Sequence, residues 1–285
     1  MTAILNLFST VGDFALPIFV FLTMLNVGLT QKPEDFKQYL SEKNFFIRML
    51  ATNFLVAPFV MWLLLQIFSP SDPTQIGLII FSMTAGAPFL IKLTQYSDND
   101  VALGATLMLV LVIGTIVFAP FLIPAAISGV EIDGLQIFLT LSRQLVLPII
   151  LGMVLHYFWK NFAEKIQPWV GKIGNIVLWI VVIGVLVGNL DGIIPLLGEG
   201  ALATGILFIL IMTFLAYFLA GTNNADHLQE VGAIGTGQRN TAASMIIASG
   251  NFADTPEVLV IITMVNTIGL VMLIYIAKLM NRDDA

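Results

Sequence analysis

Apolar residues in this chain come in nearly unbroken runs, and their length is the one a lipid bilayer dictates. A hydrocarbon layer of ~30 Å, divided by a helical rise of 1.5 Å, asks for about 20 consecutive apolar residues. Nine such runs lie near residues 10–30, 45–68, 75–96, 100–128, 135–158, 173–190, 201–220, 228–250 and 257–279. Only 11% of the 285 residues are charged and 58% are apolar, against ~25% and ~45–50% in soluble domains. The missing charges exclude a water-soluble enzyme. They imply an all-α polytopic membrane protein with about nine transmembrane helices. Connections are short and rich in turn residues, as in Ser69-Pro70-Ser71-Asp72-Pro73, so residues 1–285 read as a single transmembrane domain. The first run has no basic flank and no small-residue cleavage site, and is expected to be a retained span.

Charge placement orients the bundle. Lys32, Lys37, Lys43 and Arg48 follow the first run, Lys160, Lys165 and Lys172 the fifth, and Lys278 and Arg282 the last. All of these bases fall on one side if nine spans alternate. The opposite connections hold Asp72, Glu131, Asp133, Asp191, Glu199, Asp254 and Glu257 without a base. The positive-inside rule then expects the N-terminus outside and the C-terminus in the cytoplasm. A net charge of −6 with no basic block offers nucleic acid no footprint. The absence of cysteine and the two separate histidines, His156 and His227, leave no metal-ligand cluster.

Three bases fall inside the runs: Lys92, Arg143 and Arg239. A charge at that depth costs at least ~2.5–3.5 kcal/mol, which makes each a functional candidate. No acid is expected at comparable depth, Asp13 lying near the outer end of the first run. Buried cations without acidic partners point to an anion.

The third and eighth runs are poor helices. One carries Ala85-Gly86-Ala87-Pro88 ahead of Lys92 and Thr94, the other Gly235-Thr236-Gly237-Gln238-Arg239-Asn240-Thr241. Glycine and proline at mid-membrane free backbone groups that lipid cannot satisfy, so such segments are expected only around a cavity. Each is followed by a short acidic turn, Ser97-Asp98-Asn99-Asp100 or Asn251-Phe252-Ala253-Asp254, and then by a long apolar run. With opposite directions through the membrane, they carry the signature of inverted repeats with crossing discontinuous helices. The first repeat would cover about 10–128, lacking one helix, and the second about 135–279.

Four stretches carry a resemblance. They are Gly28-Leu29-Thr30-Gln31-Lys32-Pro33-Glu34-Asp35-Phe36, Leu145-Val146-Leu147-Pro148-Ile149-Ile150-Leu151-Gly152, Gly237-Gln238-Arg239-Asn240-Thr241-Ala242 and Asn266-Thr267-Ile268-Gly269. In order and spacing the chain resembles the bile acid:sodium symporter family, as a divergent bacterial member. The resemblance implies a panel domain, a core domain and two crossing broken helices, in a bacterial inner (plasma) membrane. It also implies a substrate cavity lined at Asn240 and Asn266, with Arg239 a further anion ligand. Asn53 matches a position where the family often has a glutamine that reaches sodium. The family's Gln-Asn pair falls on Arg239-Asn240, its sodium-site glutamate on Gly235, and its Ser-Asn pair of the first crossing helix on Leu90-Ile91, followed by Lys92. Two sodium-site elements are thus missing, and a cation stands beside each. Lys92 and Arg239 could take the place of the ion, with Asn53, Gln238, Thr94 and Thr241 completing the ion site or satisfying the crossing backbone.

The expected function is secondary transport of a small organic anion by alternating access. Sodium is the coupling ion the resemblance implies and the two cations put in question, leaving protons or no ion as alternatives. No other cofactor and no nucleic acid is expected; the partners are the anion and the lipid bilayer, and the assembly expected is a monomer. A membrane-embedded ligand receptor without translocation is the alternative. An intramembrane enzyme is not expected, because the runs offer no paired acids, Ser–His arrangement or metal ligands at one depth.

Overall fold

Proline and glycine decide where the helices of this chain widen, break and touch. The structure, a computed structural model, describes residues 2–30, 39, 42–128, 132–189, 200–221 and 226–281. The part of the first quoted stretch from Gln31 to Phe36, with Lys37, lies outside the described residues, as does Arg282. The chain begins with α1 (Thr2–Thr30). The second run is α2 (Lys43–Ala51), a π-helical turn (Thr52–Val56) and α3 (Ala57–Phe68). The third is α4 (Asp72–Ser82) and α5 (Leu90–Tyr96), followed by α6 (Val101–Ala126). Then come α7 (Gly134–Leu141), a second π-helical turn (Ser142–Val146) and α8 (Leu147–Phe158). After α9 (Lys160–Gly188) and α10 (Ala201–Ala220), α11 (Asp226–Gly237) and α12 (Thr241–Asn251) form the second broken pair, and α13 (Pro256–Met280) closes the chain.

Among the described residues, seven helical runs are long and apolar enough to span a membrane: Leu7–Thr30, Lys43–Phe68, Val101–Ala126, Gly134–Phe158, Lys160–Gly188, Ala201–Ala220 and Pro256–Met280. The two broken pairs occupy the places of the third and eighth expected spans. One boundary moves substantially. The sixth span, expected from 173, belongs to a helix that starts at Lys160, only one residue after α8 ends. Lys160, Lys165 and Lys172 therefore lie on a helix rather than in a connection. Pro168 does not end it. The outer surface is greasy: Phe14, Trp62, Phe121, Tyr157, Trp179, Phe214 and Tyr275 are all exposed. Water would not tolerate so much contiguous apolar surface, and lipid favours it.

Both π-helical turns precede a proline, Pro58 or Pro148. A proline ring clashes with the carbonyl four residues back, at Phe54 or Gln144, and the ladder widens by one residue to avoid it. The N–H of Ala57 accordingly donates to the Thr52 carbonyl, and that of Leu147 to Ser142.

Helix α1 packs along α9 and across α8, and the other helices pack chiefly among themselves. The α1–α8 crossing is made by two glycines from the quoted stretches. A Cβ on Gly152 would stand 2.5 Å from the Leu25 carbonyl oxygen and 2.7 Å from the Leu29 nitrogen, and one on Gly28 would stand 2.9 Å from the Gly152 Cα. Backbone meets backbone there, so a side chain has nowhere to go. Gly152→Leu is expected to destabilise the protein by about 3 kcal/mol through overpacking, read as a lowered unfolding temperature in detergent; an unchanged midpoint would contradict this contact.

Candidate functional site

The two breaks meet. Helix α4 contacts α12 and α5 contacts α11, so the half before one break touches the half after the other. At the centre Ala85 and Arg239 form an isolated antiparallel bridge. The Asn240 N–H donates to the Thr84 carbonyl at 3.1 Å, and Asn240 Nδ2 donates to the Gly86 carbonyl at 3.0 Å. Thr115, from α6, accepts from the Ala85 N–H at 2.8 Å and donates to its carbonyl at 2.9 Å. The Thr84 and Ser244 hydroxyls lie 2.5 Å apart. Freed backbone that would cost several kcal/mol in lipid is therefore satisfied inside the protein.

Arg239 fills the centre of this crossing and is 1% exposed. Its Nε donates to the Phe81 carbonyl at 3.2 Å, its Nη2 to the Ser82 carbonyl, and its Nη1 to Asn53 Oδ1 at 2.6 Å and to the Thr236 carbonyl at 3.3 Å. Four of the five guanidinium donors are thus used. Phe81 and Ser82 end α4, and Thr236 lies in the last turn of α11. The cation therefore sits at the negative ends of two helix dipoles, against carbonyls that helix geometry leaves unpaired. No carboxylate is within ion-pairing distance of it among the described residues. The Phe208 ring of α10 lies 5.8 Å from its Cζ, a cation–π contact.

Asn53 explains the first π-helical turn. Its Nδ2 donates to the Met49 carbonyl at 2.9 Å and to Thr236 Oγ1 at 3.0 Å, which aims Oδ1 at Arg239. Pro58 thus shapes the turn that carries the guanidinium's side-chain acceptor.

Leucines occupy the neighbouring space. A Cβ on Gly235 would stand 2.7 Å from Leu107 Cδ2 and 3.0 Å from Leu90 Cδ2. Leu90 is itself one of the two residues at the place of the expected Ser-Asn pair, so the two departures in sequence touch in space. Apolar side chains fill the space in front of Gly235.

Lys92 is separated from Arg239 and lies on the cavity side of α5. It is exposed, with Nζ 5.6 Å from the Phe89 ring centroid. Leu90, Leu93 and Thr94 take the interior face of this short helix, leaving Lys92 to the cavity. That cavity, of about 130 Å³, is bounded by Phe19, Thr23 and Asn26 of α1 and by Asn175 of α9 on one side. Phe89, Lys92, Gln238, Thr241 and Asn266 face it from the other. A wider space of about 460 Å³ adjoins it, shares Asn26, Pro88 and Lys92, and reaches Thr30, Gln95 and Gln167. Among the described residues no carboxylate lines either space.

The remaining candidates differ in what they leave free. Asn240 is engaged at both ends of its amide: Oδ1 accepts from the Ala243 N–H at 3.0 Å, capping α12. Thr94 bonds back to the Leu90 carbonyl at 2.7 Å and packs on Gly104, away from the cavity lining. Asn266 is half-buried and lines the cavity. Gln238 is 4% exposed, and its Oε1 is the one buried side-chain polar atom without a hydrogen-bond partner among the described residues. Arg143 is exposed on the second π-helical turn, beside a separate space with Pro17 and Phe21.

Sequence reasoning missed three features. Glu230 is buried in the first turns of α11 and accepts from Asn99 Nδ2 at 2.7 Å, which ties this helix to the turn after the other break. Thr115 and Ser244 carry backbone satisfaction, yet each is a small polar residue in an apolar helix and gives no signal of its own. Asn175 enters the cavity from a helix whose polar positions resemble surface. At one end of the site, Asp100 caps α6 and accepts from the Tyr39 hydroxyl. Burial and that carboxylate push the phenol's pKa above its ordinary value, so Tyr39 remains a donor. Among the described residues no group of acids and histidines could hold a metal ion.

Broken helices that meet backbone to backbone in an apolar bundle, with a polar cavity beside them, define a polytopic helical membrane transporter. The chain belongs to the sodium bile acid symporter family, whose model matches residues 17–195. It is also similar to the probable sodium/metabolite cotransporter BASS2, chloroplastic, of Oryza sativa subsp. japonica, at 23% identity over 235 residues. That similarity takes in 81% of this chain and 55% of the relative, so the chain spans about half of the relative's length. The family-model match ends before α11, and Arg239 lies beyond it.

Proposed function

We propose that the protein is a secondary transporter of a small organic anion that works by alternating access and is not coupled to sodium at the crossing. The observation that carries this is the guanidinium of Arg239, held by three carbonyls and an amide oxygen where the resemblance expects an ion. Hard oxygen ligands of this kind suit sodium, but a second cation 4 Å from Arg239 would be repelled by about 4 kcal/mol at an effective dielectric of 20. That is roughly a thousandfold loss of affinity. A tethered cation is present in both conformations and cannot dissociate down a gradient, so it supplies structure without coupling.

Lys92 is the cavity's anion-attracting group, in a lining that holds no carboxylate among the described residues. The cavity lies between α1 and α9 on one side and the broken helices on the other, which suits rocking of a panel against a core. The meeting of the breaks supports repeats of about 10–128 and 135–279, with the two broken pairs completing nine crossings. The N-terminus outside, the C-terminus in the cytoplasm and a bacterial inner membrane rest on the placement of the bases and the family resemblance.

The test is uptake by proteoliposomes of labelled short carboxylates and of a steroid acid, with sodium, potassium or choline outside. Saturable carboxylate uptake that is indifferent to the cation is expected, with Lys92→Met lowering it by about tenfold, the loss of one charge-assisted hydrogen bond. Uptake that collapses without sodium would overturn the uncoupled mechanism. Absence of uptake for every anion would overturn the substrate class.

A further inference from the structure

The second π-helical turn places a charge where lipid should be. Arg143 lies nine residues into the run that starts at Gly134, about 13 Å along the helix axis and thus near mid-membrane. It is exposed on the surface of the bundle, and its guanidinium makes no hydrogen bond, ion pair or ring contact among the described residues. The other two intramembrane cations are provided for, Arg239 by carbonyls and Lys92 by a polar cavity. A cation facing lipid at such a depth is costly, and such groups pair or mark a binding site.

A space of about 210 Å³ opens beside it. It is bounded by Pro17 and Phe21 of α1, Arg143 and Gln144 of the turn, and Leu147 and Pro148 of α8. The two helical runs go the same way, because they meet again farther on, backbone to backbone, at Gly28 and Gly152. Pro17 and Arg143 accordingly lie at matching depths, ten and nine residues from the starts of their runs at Leu7 and Gly134. The space is a lateral notch between two helices and shares no lining residue with the cavity at the crossing. Pro148, which forces the π-helical turn, also bounds the notch. The first such turn presents Asn53 to Arg239; the second presents Arg143 and Gln144 to this space.

We propose that the notch is a site for one anionic phospholipid of the surrounding bilayer, with its phosphate on Arg143 and an acyl chain along Phe21 and Leu147. Charge selects the occupant. The guanidinium is the one charged group of the lining among the described residues, and its fork of donors matches a phosphate. Asp13, the nearest acid along α1, lies outside the lining and ion-pairs with no base among the described residues. Phe21 and Leu147 are exposed and apolar, as an acyl chain requires. Helical side chains tilt toward the start of their helix, here the Gly134 end, so the guanidinium rises toward the nearer interface. Local thinning of the bilayer brings a headgroup down to meet it. A zwitterionic headgroup would leave the pair with a net positive charge in lipid, whereas an anionic one neutralises it.

The experiment uses the full chain, stripped of lipid in detergent, and native mass spectrometry with added phosphatidylglycerol or phosphatidylcholine of the same acyl chains. In the wild type one phosphatidylglycerol is expected to bind roughly tenfold more tightly than phosphatidylcholine. Arg143→Leu should remove that preference by weakening phosphatidylglycerol alone. Lys165→Met, which removes a base near the start of α9, should leave it intact. Equal binding of the two lipids in the wild type would overturn the proposal and would fit a guanidinium that water satisfies. A preference that survives Arg143→Leu, or disappears in Lys165→Met, would overturn it too, since the lysines of α9 would then account for it. So would a wild-type dimer that Arg143→Leu separates, because a second copy would then fill the notch. Phosphatidylglycerol with a photoreactive group on its acyl chain gives a second reading on the wild type alone. Labelled peptides should hold Phe21 or Leu147, and labelling only elsewhere would refute the site even where the variant fails to fold. Transport enters none of these readings, so their outcome is independent of the function proposed above.

Discussion

The Arg239→Gln variant is expected to be less stable than the wild type by about 3 kcal/mol in potassium or choline, and to recover much of that loss in sodium. Removing the guanidinium leaves the Ser82 and Thr236 carbonyls and Asn53 Oδ1 without their donor, and the Phe81 carbonyl with only the Thr84 hydroxyl. Each buried acceptor left unsatisfied costs ~1–3 kcal/mol, and the two glutamine donors answer only part of the set. The same oxygens become a hard, uncharged cage at the ends of two helices, which is what an alkali cation needs. A cation at a hundred times its Kd adds about 2.7 kcal/mol of stability by mass action. Wild type should show no sodium-specific shift, because its own cation is already in place. A sodium shift of equal size in wild type and variant would refute the substitution of arginine for the ion. A variant that is destabilised but indifferent to sodium would leave Arg239 a structural clasp only.

Gly86→Ala should be the most damaging single-methyl change in the crossing. Gly86 has φ +81°, a left-handed conformation that costs a non-glycine residue about 1–2 kcal/mol. Its missing Cβ also faces backbone: an added methyl would clash with the Val112 nitrogen and stand 2.6 Å from the Met108 carbonyl oxygen of α6. Helix α6 is clasped to the break on this face through Thr115, so relief by displacement would break the Ala85 bonds. A loss of more than about 3 kcal/mol is expected from the clash and the conformation together, seen as failure to purify as a monodisperse species or as a strongly lowered midpoint. A variant with wild-type stability and uptake would show that the first break is not held by this contact.

Much of this architecture was legible because lipid is a demanding solvent. Apolar runs of bilayer length could be little else, and most boundaries match the helices to within a few residues. The breaks were legible for the same reason, since Gly86-Ala87-Pro88 and Gly235-Thr236-Gly237 interrupt runs that lipid requires to be continuous. Arg239 stood out because a charge so deep is costly. The sixth span was misplaced because Lys160–Lys172 carries enough charge to resemble a connection, although long lysine stems let a helix pass through the interfacial region. Lys92 and Arg239 both stand out along the chain as intramembrane cations, Arg239 at mid-span and Lys92 a few residues before a turn. Their difference depends on which face of a seven-residue helix meets the cavity, and hydropathy does not resolve that. Glu230 was overlooked because its partner, Asn99, belongs to the turn after the other break.

The sequence alone determined the solvent, the helical class, the approximate crossings and the two places where helices fail, because backbone in hydrocarbon must be satisfied locally or by a neighbour. It also displayed the exchange of ion-site residues for a cation, a glycine and a leucine. Only the tertiary structure decided what these exchanges amount to. Gly235 and Leu90 lie 145 positions apart and compensate one another by contact, since the leucine fills the space in front of the glycine. Arg239 is satisfied by carbonyls that two separate helices expose at their ends, and by an amide that a third holds out from a proline-widened turn. Gln238, its neighbour in sequence, lines the cavity while its Oε1 stays buried without a hydrogen-bond partner among the described residues. Packing among distant helices sets which polar atoms are used and which remain for a ligand, and that partition is absent from any local stretch of the chain.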